Sequence, residues 1–179
     1  MPTLQGLPPI ASADACVLVL GSMPGAASLQ AGQYYAHKQN RFWPYMAALI
    51  DADPSWPYRQ RVQRLHWAGI AVWDVIANCR REGSLDSAIR DEAVNDFGQF
   101  FAHHANVATV LFNGAKAETS FFRRVLPTLG LPGLNCRRLP STSPANASQT
   151  EAAKLAAWRD ALLEAGARVA IGGLRRHVE

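Results

Sequence analysis

Apolar runs recur along the chain at Cys16 to Leu20, Gly69 to Ile76, Val107 to Phe112 and, more weakly, Cys136 to Leu139. Between them lie segments with helical spacing: Phe42 to Ile50, Tyr58 to Trp67, Val94 to His103, Lys116 to Leu126 and Glu151 to Gly166. Short buried strands alternating with helices predict an α/β fold around a largely parallel central sheet. The last helix has the clearest apolar stripe, Leu155, Trp158 and Leu162, and Ser148-Gln149-Thr150-Glu151 fits a capping box opening it. No internal repeat, low-complexity tract or linker breaks the pattern. With 179 residues, 49% of them apolar, the chain suits one domain over 1–179 with a sizeable core. Its end, from Ile171 through Arg175-Arg176-His177, reads as a short, flexible basic tail able to touch phosphate.

Charge and cysteine usage narrow the class only a little. Eighteen Lys and Arg against fourteen Asp and Glu give +4, an excess that permits a polyanionic partner without requiring one. Cys16, Cys79 and Cys136 are odd in number, widely spaced and set in apolar surroundings, as expected of reduced thiols in the cytoplasm. The absence of a CxxC pair argues against a zinc ribbon or a Cys-ligated iron–sulfur cluster. No apolar stretch reaches membrane-spanning length, and no charged leader precedes one.

The polar positions that interrupt this pattern are the informative ones. The first strand ends in Gly21-Ser22-Met23-Pro24-Gly25, a tight turn that brings backbone close to whatever binds at the carboxyl end of the sheet. It lacks the Lys-Ser/Thr of a P-loop and the third glycine of a dinucleotide fingerprint. Tyr34 to Trp43 follows, supplying aromatic faces, the Asn40 amide and the Arg41 cation. Phe112-Asn113-Gly114 places an amide at the end of the third strand, and Pro140-Ser141-Thr142-Ser143-Pro144-Ala145-Asn146 follows the fourth as a hydroxyl-rich loop. All of these fall at one edge of the same sheet. Among the remaining polar residues, Asp74 ends the second strand and suits either water positioning or a structural carboxylate. His37 serves loop order or orientation equally well. Arg41, Phe42 and Trp43 suit packing with a buried ion pair, His103-His104 suits a helix terminus, and Arg80 to Ser84 suits a solvated loop that, on the sheet's active edge, could also hold phosphate.

These four motifs, in this order between about Val17 and Asn146, resemble the uracil-DNA glycosylase superfamily, and within it the deoxyinosine (hypoxanthine-DNA) glycosylase branch. The resemblance implies a three-layer α/β/α sandwich with a central four-stranded sheet. It also implies a monofunctional enzyme that hydrolyses the N-glycosidic bond of deaminated bases, hypoxanthine first and uracil second, in base excision repair. Mismatch-directed relatives carry Asn or Asp at the position of Met23, where it directs the attacking water; a thioether cannot, and the resemblance moves that role to Asn40. The rival readings are a uracil- or mismatch-specific glycosylase and a catalytically silent binder of damaged DNA.

Elementary chemistry runs parallel to the resemblance. A base inside a duplex is reached only by extruding its nucleotide into a pocket. Tyr35, or second Tyr34, is placed to stack on it. Hypoxanthine and uracil present a ring N–H beside a keto oxygen, a pattern that a fixed amide such as Asn113 can read with its carbonyl and its N–H. Asn40 can orient the water, Ser22 and Asp74 can assist, and the backbone at Ser22 and Met23 suits the oxygen of the base. Ser141, Thr142, Ser143 and Asn146 are expected at the DNA. No metal or cofactor is expected, the partner is DNA containing deaminated bases, and the protein is expected to act as a monomer.

Overall fold

A computed structural model describes residues 1–170; the basic end beginning at Ile171 lies outside the described residues. Four strands, β2 (Val17–Gly21), β3 (Ile70–Asp74), β6 (Thr109–Asn113) and β7 (Asn135–Leu139), form a parallel sheet in the order β3-β2-β6-β7. The sequence pattern locates all four. β2 and β3 are buried along their whole length and β6 through its middle, which is why they read as unbroken apolar runs. Helices α2 (Phe42–Ile50), α3 (Tyr58–Ala68) and α5 (Ala115–Arg124) lie in the crossovers, and α7 (Glu151–Glu164) follows the last strand. Its two edges are handled differently. Ile10 bridges Val72, exchanging two backbone hydrogen bonds of 2.8 Å, and so closes the apolar β3 edge. β7 instead exposes Arg137 and Arg138, charges that discourage pairing with another chain.

Other segments depart from expectation. The run Gly69 to Ile76 is not one strand: it breaks at Val75, and β4 (Ile76–Arg80) turns into a small antiparallel sheet with β1 (Thr3–Gln5) and β5 (Arg90–Val94). Val75 N–H donates to Gly21 O at 2.9 Å and Ile76 N–H to Ser22 O at 3.0 Å, so the chain follows the glycine turn before leaving the sheet. Val94 therefore ends a strand, and α4 (Phe97–His103) starts later, capped by Asp96 Oδ1 accepting from Gln99 N–H at 2.9 Å. A short α1 (Ala26–Ala31) springs from the glycine turn, and a one-turn α6 (Leu126–Leu129) follows α5. Helix α7 is capped by Thr150, whose Oγ1 accepts from Ala153 N–H at 3.2 Å, not by Ser148; its stripe is as expected, with Trp158 and Leu162 fully buried. No helix among the described residues is long and apolar enough to cross a membrane.

This strand order has a functional consequence. The chain passes from β2 to β3 on one side and later returns to lay β6 on the other, so the connections diverge between β2 and β6. In open α/β sheets that divergence leaves a crevice at the carboxyl ends of the strands.

Candidate active site

The register brings the polar strand ends into one row. Gly21 pairs with Asp74, Leu20 with Phe112, and Asn113 with Leu139. Asp74, Gly21 and Asn113 thus stand side by side at the carboxyl edge, on the floor of a cleft of about 900 Å³ that the glycine turn, Tyr35, Asn40, residues 84–87 and residues 138–146 also line. Glycine is required at position 21. A Cβ there would collide with Asp74 Oδ1 and stand 3.4 Å from the Tyr35 hydroxyl.

Tyr34 and Tyr35 have separate tasks. Tyr34 is buried, its hydroxyl donating to Pro8 O at 2.8 Å, and its carbonyl accepts from Trp43 Nε1 at 3.0 Å. It anchors the segment, while Tyr35 lines the cleft. One face of Tyr35 lies on Phe42, ring centroids 4.1 Å apart. Its backbone is left-handed, with φ 55°, a conformation that costs a non-glycine residue about 1–2 kcal/mol. The neighbouring anchors hold it there. Phe42 and Trp43 are core residues as expected, but the Arg41 ion pair is not buried: its Nε lies 3.0 Å from Glu151 Oε2 with both side chains about half exposed.

Asn40 reaches the cleft just before α2. Its Oδ1 accepts from Phe42 N–H at 2.9 Å, which fixes the side chain. His37 orders the same loop, Nδ1 accepting from Gln39 N–H at 3.2 Å.

Asn113 is more committed than its sequence position suggests. Its Oδ1 accepts from Thr142 N–H at 2.9 Å, and its Nδ2 donates to Thr142 Oγ1 at 2.9 Å and to Tyr35 Oη at 3.2 Å. Both donors are engaged, one of them in a long bond; one lone pair of Oδ1 remains. Thr142, expected at the DNA, is 1% exposed. Its hydroxyl is spent on Asn113 and its carbonyl on Arg41 N–H at 2.9 Å, so it holds the loop in place. Ser141, Ser143 and Asn146 stay partly open on the rim. Helix α7 braces this loop from behind: Trp158 Nε1 donates to Pro140 O at 3.0 Å, and buried Lys154 Nζ to Asn146 O at 2.5 Å. Gly114 has φ 95°, and a Cβ there would approach Ser141 Cβ to 3.2 Å, so strand and loop meet where only glycine fits.

The other wall carries the acids. Asp74 is buried, and its Oδ2 has no hydrogen-bond partner among the described residues. Burial, reinforced by the Asp86 carboxylate and opposed by Arg81, pushes its carboxyl up to about 7. Ser22 Oγ donates to Asp86 Oδ1 at 2.5 Å. Met23 packs with Ile76, Cys79 and Ile89 in a second small apolar cluster, so its thioether serves as filler beneath the turn. Arg81 is buried, not solvated: Nη2 donates to Pro24 O at 2.5 Å and Nε to Gly83 O at 3.0 Å. The sequence signals neither this brace nor the Ser22–Asp86 bond, because both depend on how β4 and β5 fold back. His103 and His104 close α4 as expected, each Nδ1 2.8 Å from the carbonyl four residues earlier.

A family model, the uracil DNA glycosylase superfamily, matches residues 8–165. A protein named hypoxanthine DNA glycosylase from Methanosarcina barkeri is 35% identical over 158 residues, covering 88% of this chain and 96% of the relative. One of the same name from Methanosarcina acetivorans is 33% identical over 143 residues, covering 79% and 87%. The solution NMR structure of a candidate uracil DNA glycosylase from Methanosarcina acetivorans superposes with a TM-score of 0.76 at 28% identity, covering 92% of this chain and 99% of that one.

Proposed function

The chain belongs to the uracil DNA glycosylase superfamily, and from that premise we propose that it is a monofunctional DNA glycosylase that hydrolyses the N-glycosidic bond of deaminated bases, hypoxanthine first and uracil second. The observation that carries the reading is the gathering of a stacking ring, two amides and a buried carboxyl in one cleft at the point where the sheet connections diverge.

The extruded base lies against the open face of Tyr35, which Phe42 holds rigid from behind. Asn113 reads it by exchange. Its long 3.2 Å bond to Tyr35 is given up for one to the keto oxygen, while the remaining lone pair of Oδ1 accepts the ring N–H. Cytosine and adenine present an acceptor and an amino group at those points and leave both partners unpaired, the mismatch that polar sites reject most strongly. Asn40, fixed through Phe42 N–H, orients a water toward the anomeric carbon. The sugar passes through an oxocarbenium-like state, so a strong base is not needed. Ser22 and Asp74 border the same space and hold the water network. Ser141, Ser143 and Asn146 on the rim meet the DNA backbone.

Single-turnover base release tests this on oligonucleotides carrying hypoxanthine, uracil, xanthine or mismatched thymine, in single and double strands. Hypoxanthine is expected fastest and uracil second, with no loss in EDTA. Release of uracil or thymine ahead of hypoxanthine overturns the preference, and release of no base overturns the activity.

A further inference from the structure

Asp74 ends β3 on the floor of the cleft, 4% exposed, and among the described residues no other cleft-lining side chain has a buried polar atom without a hydrogen-bond partner. That atom is Oδ2. A purely structural carboxyl would spend both oxygens on neighbouring donors. The residue is nonetheless fixed: its backbone carbonyl accepts from Asn95 Nδ2 at 2.8 Å, and the next residue, Val75, is tied through its N–H to Gly21 O at 2.9 Å. Gly21, having no Cβ, lets the carboxyl lie against the glycine turn, in the same row of strand ends as Asn113. The groups that face it are Asp86 from the one-turn 3-10 helix Asp86–Ala88, Arg81 from just beyond β4, and the hydroxyls of Tyr34 and Tyr35. Burial and the Asp86 carboxylate outweigh the guanidinium, and a carboxyl raised to about 7 still carries its proton near neutral pH.

A 6-oxopurine is most basic at N7 of its imidazole ring, the ring whose N9 holds the sugar. A proton placed there turns the base into a neutral leaving group, and a pyrimidine has no equivalent ring. We propose that Asp74 is the general acid that protonates N7 of the extruded purine as its glycosidic bond breaks. The inference rests on the glycosylase reading of the cleft. The carboxyl proton passes to N7, the C1′–N9 bond breaks with its electron pair moving into the imidazole ring, and hypoxanthine leaves neutral. The water oriented by Asn40 adds to C1′, and the proton it sheds returns to the Asp74 carboxylate. Asn113 and Asp74 stand two strands apart, roughly 9–10 Å at ordinary strand spacing, so they address the two different rings of a purine. That second contact gives hypoxanthine its lead over uracil.

The test compares wild type with Asp74→Asn in single-turnover release from oligonucleotides carrying hypoxanthine or 7-methylhypoxanthine, with spontaneous release subtracted. The methylated base is already cationic at its imidazole ring and needs no proton. Asp74→Asn should release hypoxanthine about a hundredfold to ten-thousandfold more slowly and 7-methylhypoxanthine at close to the wild-type rate. Equal losses on the two bases, or no loss on either, overturn the acid. A second readout uses wild type alone and stands even if the variant does not fold. Hypoxanthine release should fall about tenfold per pH unit above pH 7 or so as the carboxyl loses its proton, while release of 7-methylhypoxanthine should not. A fall shared by both bases, or a hypoxanthine rate that is flat from pH 6 to pH 9, overturns the acid with the glycosylase reading intact. If wild type releases neither base, that reading fails and Asp74's role with it.

Discussion

The two rims of the cleft reverse what their sequences advertise. Residues 140–146 look like a DNA-facing loop, yet the central Thr142 is 1% exposed and spends its polar groups on Asn113 and Arg41, while α7 grips both ends. Residues 80–84 look like a solvated loop, yet Arg81 is buried, and the segment they open ends on buried Ile89 and holds Leu85 outward. A hydroxyl-rich loop satisfies itself when a neighbouring strand ends in an amide. A charged loop next to a glycine turn becomes rigid when its arginine finds orphan carbonyls. Composition alone does not distinguish the rim that positions from the rim that reaches.

Substitutions divide along that line. The largest effect is expected on the positioning side, at Asn40, whose loop is tied to the 140–146 rim through Arg41 N–H. Asn40→Ala should lower single-turnover base release by about a hundredfold to a thousandfold, the scale of losing one preorganised polar group. It should also lose the bond to Phe42 N–H, costing about 1 kcal/mol of stability, with DNA binding retained in a gel-shift titration. Near wild-type release would return the water to Ser22 or Asp74.

Asn113→Asp keeps an acceptor for Thr142 N–H and removes the donor facing the keto oxygen. An unpaired keto group costs about 1–3 kcal/mol, or about tenfold to over a hundredfold in rate. Unchanged rates on hypoxanthine and uracil would remove Asn113 from base reading and leave it a loop clamp.

The rims should separate again in urea denaturation. Thr142→Val strands an Asn113 donor and should cost about 1–2 kcal/mol, whereas Leu85→Ala should change stability by less than about 0.5 kcal/mol. Equal losses would erase the contrast.

A further modest effect concerns Asp74. Its carboxyl ordinarily titrates near 3.8 and is raised to about 7 in the folded protein. Between those values the folded state holds a proton the unfolded chain has lost, so stability falls as pH rises through that window and levels off above it. From pH 6 to pH 8 the loss is about 1 kcal/mol. Asp74→Asn should flatten this slope, measured as melting temperature against pH; an identical slope would place the titration elsewhere.

The legible part of the molecule was its apolar interior. β2, β3 and β6 are buried by their neighbours and so had to be continuous apolar runs, and their polar ends, Asp74 and Asn113, stood out for the same reason. β4 and β5 were not legible, because Arg80, Arg90 and Asp91 face solvent and neither strand shows clean alternation. The Arg81 brace, the Ser22–Asp86 bond and the placement of Leu85 depend on that hairpin and are silent in the sequence for the same reason. Thr142 was misplaced for a different reason. A threonine in a loop reads the same in sequence whether its hydroxyl meets water or the amide of Asn113, and only the pairing of β6 with β7 decides between them.

The most direct test of the proposed chemistry follows both products of one turnover. Inosine-containing duplex is incubated with wild type and with Asn40→Ala in EDTA, and free base and strand masses are read by mass spectrometry. Wild type should yield hypoxanthine and an unbroken strand bearing an abasic site in equal amounts, and Asn40→Ala almost none of either. Strand breakage at the site without added alkali, or free base formed equally by both proteins, would contradict a monofunctional hydrolysis directed by Asn40.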